Sequence, residues 1–270
     1  MTDWDNFEYD EPSLERKPDE YEISARKVLE EFFEKNGSNV FFGNQLAVQN
    51  EDRFFHWITH RALADLVEAG TLLTESRKLA IGSEIKLVWH RRHRYFRRDA
   101  KRVVDLVDQY SSPNMCEAIG HHGEQMILSG FARKQFVMLG EHTRRFGERE
   151  WTETDHNLDF IFQRDGRTYG IEVKNTLSYM SQKQFEAKIR LCEKLGIVPV
   201  FAVRMLPKTW IHELNTHGGY AMIMKYQLYP PSHVDLARRT AKELGLPVDA
   251  PKALAAGTMD RFEKWHMKNL

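Results

Sequence analysis

Three charged side chains flank a tight turn in the stretch HNLDFIFQRDGRTYGIEVKN: Asp159 on one side, Glu172 and Lys174 on the other. Asp165-Gly166 is a strong signal for a two-residue hairpin loop, and the residues around it alternate with the period of a strand. Pairing Arg164 with Arg167 across that loop sets Asp159 directly opposite Glu172. Side chains alternate between the faces of a strand, so Asp159, Glu172 and Lys174 share one face, and Leu158, Phe160, Phe162, Ile171 and Val173 point to the other. One face reads as a site and the other as core. Opposed Cβ atoms lie about 5 Å apart, where two like charges repel by up to about 1 kcal/mol unless something neutralises them. A divalent cation would do so. Carboxylates, a backbone carbonyl and waters are hard oxygen ligands, which suit Mg²⁺ or Mn²⁺ better than Zn²⁺.

The elements that must hold this hairpin are set by the pattern downstream of Asn114, one helix and then alternating strands and helices, which predicts an α/β domain. Helices are expected at 118–133 and 181–195, and strands at 135–139, 156–163, 168–175, 198–204 and 220–227, with helices at 234–244 and 259–268 closing the chain. Upstream, helical stripes at 21–35 and 53–69 precede two strand-like runs at 71–74 and 85–89, the outline of a winged-helix module. In such a module His56, Thr59, His60 and Arg61 lie on the outer side of the groove helix, with Arg77 and Lys78 in the wing. The expected organisation is an acidic tail without order at 1–20, a winged-helix-like domain at 21–92, a basic connecting helix at 93–113, an α/β domain at 114–230 and a helical extension at 231–270.

The 39 Lys and Arg cancel the 39 Asp and Glu of the 270 residues, but they are unevenly spread. Residues 1–20 carry a balance of minus six and the rest plus six. His90 to Arg102 holds Arg91, Arg92, Arg94, Arg97, Arg98, Lys101 and Arg102 against Asp99 alone, interleaved with Tyr95 and Phe96, which is the footprint of phosphate contact or of a solvated helix face. The histidines of that run read as further phosphate contacts. The tail is either a solubilising arm or a mimic that shields the basic surface, and in the second case deleting residues 1–20 tightens DNA binding. The longest apolar run, Ile197 to Val203, holds Pro199 and is too short to span a membrane, and the acidic start is no secretory signal, so a cytoplasmic protein is expected. Cys116 and Cys192 read as packed thiols, and His90, His93, Cys116, His121 and His122 match no compact zinc spacing.

Asp159, twelve intervening residues and then Glu172-Val173-Lys174 resembles the signature of the PD-(D/E)XK nuclease superfamily, in its Holliday-junction resolvase and restriction-endonuclease-like branch. His121-His122-Gly123-Glu124 is similar to the start of the family's first helix, whose Glu often completes the site, and 197–203 to its fourth core strand. The resemblance covers about residues 117–227, and Leu158 stands where the family carries Pro. It implies a restriction-endonuclease-like core, a central mixed sheet flanked by helices, that hydrolyses phosphodiester bonds with Mg²⁺, or Mn²⁺ in its place. Asp159, Glu172, the Val173 carbonyl and Glu124 would hold the metal, and Lys174 would orient water or stabilise charge on the phosphate. Gln184 and Lys188, on one face of the next helix, either contact the phosphate or form a solvated pair. DNA is the expected partner, and a homodimer is expected by analogy, because cutting two strands needs two sites. The competing expectations are a catalytically silent DNA-binding regulator and an RNA nuclease.

Overall fold

Asp19 starts the first helix with a reciprocal cap: its carboxylate accepts the Glu22 backbone N–H at 2.8 Å, and the Glu22 carboxylate accepts the Asp19 N–H at 3.0 Å. The computed structural model describes residues 17–270, so the expected acidic tail lies outside the described residues except at its end. There the expectation is corrected, since Asp19 caps and Glu20 opens α1 (Glu20–Lys35).

The chain forms two units: residues up to Cys116 with Asp235–Pro247, and Glu117–Val234 with Val248–Leu270. In the first unit α1 is followed by β1 (Val40–Phe42), α2 (Gly43–Gln49), α3 (His56–Glu68), β2 (Leu72–Lys78) and β3 (Glu84–His90). The strands form an antiparallel sheet in the order β1-β3-β2. Leu29 and Phe33 of α1 pack with Ile58, Leu63 and Leu66 of α3 over Phe41, Leu46 and Val88. The hairpin is longer than expected, because Ser76, Arg77 and Lys78 continue the ladder opposite Lys86, Ile85 and Glu84. The expected connecting helix is instead a packed element of this unit. α4 (Phe96–Tyr110) buries Ala100, Val103, Leu106, Val107 and Tyr110, and Phe96 stacks on Trp89 with ring centroids 4.2 Å apart.

α5 (Pro113–Arg133) begins at the proline expected to end a segment. A first-turn proline lacks only an N–H that would find no partner within the helix. The boundary between the units therefore falls inside α5, after Cys116, and not in a loop.

The second unit continues with β4 (Val137–Thr143), β5 (Arg145–Phe146), β6 (Arg149–Glu150), β7 (Leu158–Arg164), β8 (Arg167–Lys174), α6 (Gln182–Leu195), β9 (Val198–Val203), α7 (Lys208–Thr216) and β10 (Tyr220–Ile223). A five-stranded mixed sheet has the order β10-β9-β8-β7-β4, antiparallel from β4 through β8 and parallel from β8 to β10. The β7–β8 register runs from Arg164–Arg167 to Phe160–Ile171, as the hairpin loop dictates. Asp165 and Gly166 have φ of 50° and 76°, the pair of positive values that a two-residue loop of this twist requires.

Both faces of the sheet are covered. Phe160, Phe162, Tyr169 and Ile171 pack with Ile127 and Phe131 of α5, whereas Ile161 packs with Leu191, Cys192 and Leu195 of α6. The division into a core face and a site face is thus corrected: the Asp159 face is core at Ile161 and polar at Gln163 and Thr168 as well as at Asp159, and Leu158, expected on the opposite face, packs with Ile161 and α6. Cys192 is a packed thiol, and the half-buried Cys116 points its Sγ at the Ser111 carbonyl at 3.5 Å.

The strand expected at 220–227 ends at Ile223, and Gln227 instead lies in β11 (Gln227–Leu228). Next come α8 (Val234–Leu244), β12 (Val248–Asp249), which pairs in parallel with β11, and α9 (Ala256–Lys268). These are not an appended extension. Gln45 and Gln49 donate to the Leu244 carbonyl at 2.8 and 2.7 Å within the first unit, while Met259 and Phe262 of α9 complete the core of the second. His266 of α9 lies 3.0 Å from Asp165 and 2.6 Å from the Tyr169 hydroxyl, holding the hairpin turn. Among the described residues no helix is long and apolar enough to cross a membrane.

Candidate active site

Where the β7–β8 ladder ends, a side chain replaces a backbone acceptor: the Val173 N–H is donated to Asp159 Oδ2 at 2.6 Å. Asp159 is half-buried, and Glu172 on the neighbouring strand is only 4% exposed. A carboxylate so placed needs positive partners, and two lysines supply them. Lys188 Nζ donates to Glu172 Oε2, and Lys174 Nζ lies 3.8 Å from Oε1. Burial, with the Asp159 charge adding to it, pushes the Glu172 carboxyl up to about 7 against the pull of both lysines.

Lys188 is neither an outer phosphate contact nor a solvated partner of Gln184. It is 6% exposed, on the side of α6 that also buries Phe185, Ile189 and Cys192, and it donates to the Asn157 carbonyl as well. Gln184, in the first turn of that helix, is half-buried, and its N–H is held by the Ser181 cap at 3.2 Å.

Glu124 of α5 comes within electrostatic reach of Asp159. Its pKa is raised first by burial and then by Asp159, and His142 of β4 stands 3.9 Å away. Its helix is drawn in by Asn175, the residue after Lys174. The buried Asn175 amide donates to the Ile119 and Leu228 carbonyls at 2.8 and 2.7 Å and accepts the Leu228 N–H at 2.7 Å. A Cβ on Gly123 would lie 2.6 Å from Asn175 Cβ, so only glycine permits this approach of α5 to the end of β8. The structure therefore gathers Asp159, Glu172, Lys174, Glu124 and Lys188 in one unit and adds His142, Asn175 and His156. The pKa of His156 is lowered by burial and then by Lys188 and Lys174. Of these additions, only Asn175 carried a sequence signal, its place directly after Glu-Val-Lys.

In the first unit Arg91, Arg92, Arg94, Arg97, Arg98, Lys101 and Arg102 are all exposed. Their acidic neighbours are Asp99, 3.7 to 3.9 Å from Arg102 and Arg98, and Asp105, 2.6 Å from Lys101. The histidines of the run serve the fold instead of facing outward: His90 is buried and accepts the Arg92 N–H at 3.2 Å, and His93 lies 3.1 Å from Asp99. Arg77 and Lys78 are exposed near the tip of the β2–β3 hairpin.

The outward set expected on α3 is corrected. Thr59 is fully buried among Ile58, Ala62, Leu63 and Leu66, and His56 lies 3.4 Å from Glu51. His60 turns inward, so near Gly43 that a Cβ there would meet its ring at 2.9 Å. Burial, then His56 and Lys86, lower its pKa to about 4. Arg61 pairs at 2.8 Å with Glu22, which the helix cap leaves buried, and its guanidinium sits 4.7 Å over the Trp57 ring.

Among the described residues no three of His, Cys, Asp or Glu stand close enough together to hold a metal ion as they are. In kind and charge, the donors fit a hard divalent cation: Asp159, Glu172 and Glu124 supply carboxylates, the charge on Asp159 raises the pKa of the other two, and Lys188 already sits on Glu172 as a positive counter-charge. No family model, curated protein or solved structure matches the chain.

Proposed function

We propose that the second unit is a metal-dependent nuclease centre of the PD-(D/E)XK type and that the first unit binds DNA. The observation that carries this reading is the hairpin end itself: acids from two paired strands, one of them buried, with a lysine two residues beyond on the same strand. Supporting it, β4, β7 and β8 are followed by α6 and by β9 parallel to β8, the order implied by a restriction-endonuclease-like core with β9 as its fourth strand. The order α1, β1, α2, α3, β2, β3 supports a winged-helix-like reading of the first unit. Its contact surface is the exposed cations of α4 and the preceding turn with the β2–β3 tip, and not the outer side of α3.

Asp159, Glu172, the Val173 carbonyl and Glu124 would hold Mg²⁺, or Mn²⁺ in its place, and the bound ion supplies Lewis-acid activation of phosphate and water. Lys174, more exposed than Glu172 beside it, presents its ammonium where a phosphoryl oxygen gains charge and stabilises that charge electrostatically. Asn175 and Gly123 fix where α5 delivers Glu124.

Incubating the chain with duplex, branched and single-stranded DNA and matching RNA in Mg²⁺ tests this reading. Cleavage of DNA that vanishes in Asp159→Ala supports it, whereas no cleavage, or cleavage undiminished in that variant, overturns it. One observation favours a second reading, a catalytically silent DNA-binding protein: Lys188 satisfies Glu172 without a metal. Lys174→Ala separates the two, since the nuclease reading requires retained binding with lost cleavage.

A further inference from the structure

A lysine on an amphipathic helix ordinarily lays its stem along the surface and keeps its ammonium in water. Lys188 does the reverse. Its side chain is buried, and its ammonium reaches Glu172 Oε2 on β8 and the carbonyl of Asn157, the residue just before β7. A carboxylate and a backbone carbonyl are the donor types that a hard divalent cation takes. Lys174 approaches the other oxygen of Glu172, at 3.8 Å, from a more exposed position, so the two oxygens are divided between a buried and an accessible lysine.

We propose that Lys188 is a tethered counter-cation: it stands in for the divalent ion while the site is metal-free and is displaced from Glu172 when the ion binds. The inference rests on the metal-dependent reading of this site. Burying Glu172 beside Asp159 without a positive partner would be costly, and the ammonium removes that cost. A divalent ion on the same carboxylate would then face a buried like charge at contact distance, so the lysine must leave Oε2. Metal affinity is therefore set by an exchange between two cations, and the metal-free chain keeps an assembled hairpin end.

Titration of the full chain with Mn²⁺ alone, following free Mn²⁺ by electron paramagnetic resonance, tests the exchange in wild type, Lys188→Met and Lys188→Gln. The variants are expected to bind Mn²⁺ about tenfold more tightly and to melt at a lower temperature than wild type in EDTA. Equal or weaker binding, or no binding by any of the three, overturns the proposal. A second measurement needs no variant: amine labelling of wild type, read by mass spectrometry, should modify Lys188 slowly in EDTA and several-fold faster with Mn²⁺, and labelling unchanged or slowed by the metal overturns it. DNA cleavage is scored separately. Tighter Mn²⁺ binding by the variants without cleavage by wild type upholds the exchange and removes the nuclease reading. Cleavage by wild type with unchanged Mn²⁺ binding in the variants does the opposite.

Discussion

The two groups of cations in this protein are built in opposite ways. Around α4 seven Lys and Arg side chains stand in water, with Asp99 and Asp105 as their acidic partners among the described residues, while at the hairpin end two lysines serve one buried carboxylate. The first arrangement gives long-range, salt-sensitive attraction and little geometry. The second gives geometry, and the fold depends on it, because the loss of either Glu172 or Lys188 leaves the other buried without its partner charge.

The sharpest way to break that contrast is to remove the shared carboxylate. Glu172→Ala leaves Lys188 buried and unpaired and should destabilise the second unit by about 3–5 kcal/mol, whereas Lys174→Ala should cost no more than about 1 kcal/mol. Urea denaturation of the two variants measures the difference, and equal losses would show that burial does not separate the two lysines. On the other side, replacing Arg97, Arg98, Lys101 and Arg102 with Gln should cost no more than about 1 kcal/mol, since all four are exposed. The plot of log DNA affinity against log salt should become shallower by about 3–4 units of slope, and an unaltered slope would remove α4 from the contact surface.

His60 sharpens the comparison inside the first unit, because it lies among cations and yet faces inward. Its folded pKa, about 4, is below the unfolded value, so between pH 6.5 and 4 the unfolded chain binds the extra proton. Its contribution is complete above about pH 6.5 and falls away by about 3 kcal/mol as the pH drops to about 4. Stability measured against pH should show this decline in wild type and a flatter profile in His60→Gln. Identical profiles would place the ring in solvent.

The hairpin was legible because its causes are local. Asp165-Gly166 fixes the loop, the loop fixes the register, and strand alternation then sets Asp159, Glu172 and Lys174 on one face. Lys188 was not legible, since four-residue spacing from Gln184 looks the same on a solvated helix and only the docking of α6 onto the sheet buries it. His60 and Arg61 misled for a similar reason, as the burial of one depends on Gly43 and the pairing of the other on Glu22, positions distant in sequence. Pro113 is compatible with both a break and a helix start, and the helix-forming residues after it decide between the two.

The path of the chain between the units constrains how the protein is made. The segment Asp235–Pro247 returns to the first unit after most of the second has been laid down, and Val248–Leu270 then goes back to the second. On a ribosome, the first unit lacks residues until Pro247 has emerged, and the second lacks its α9 until after that. A chain stopped before Leu244 would therefore leave both unfinished, with the Gln45 and Gln49 amides lacking the Leu244 carbonyl and the sheet lacking Phe262.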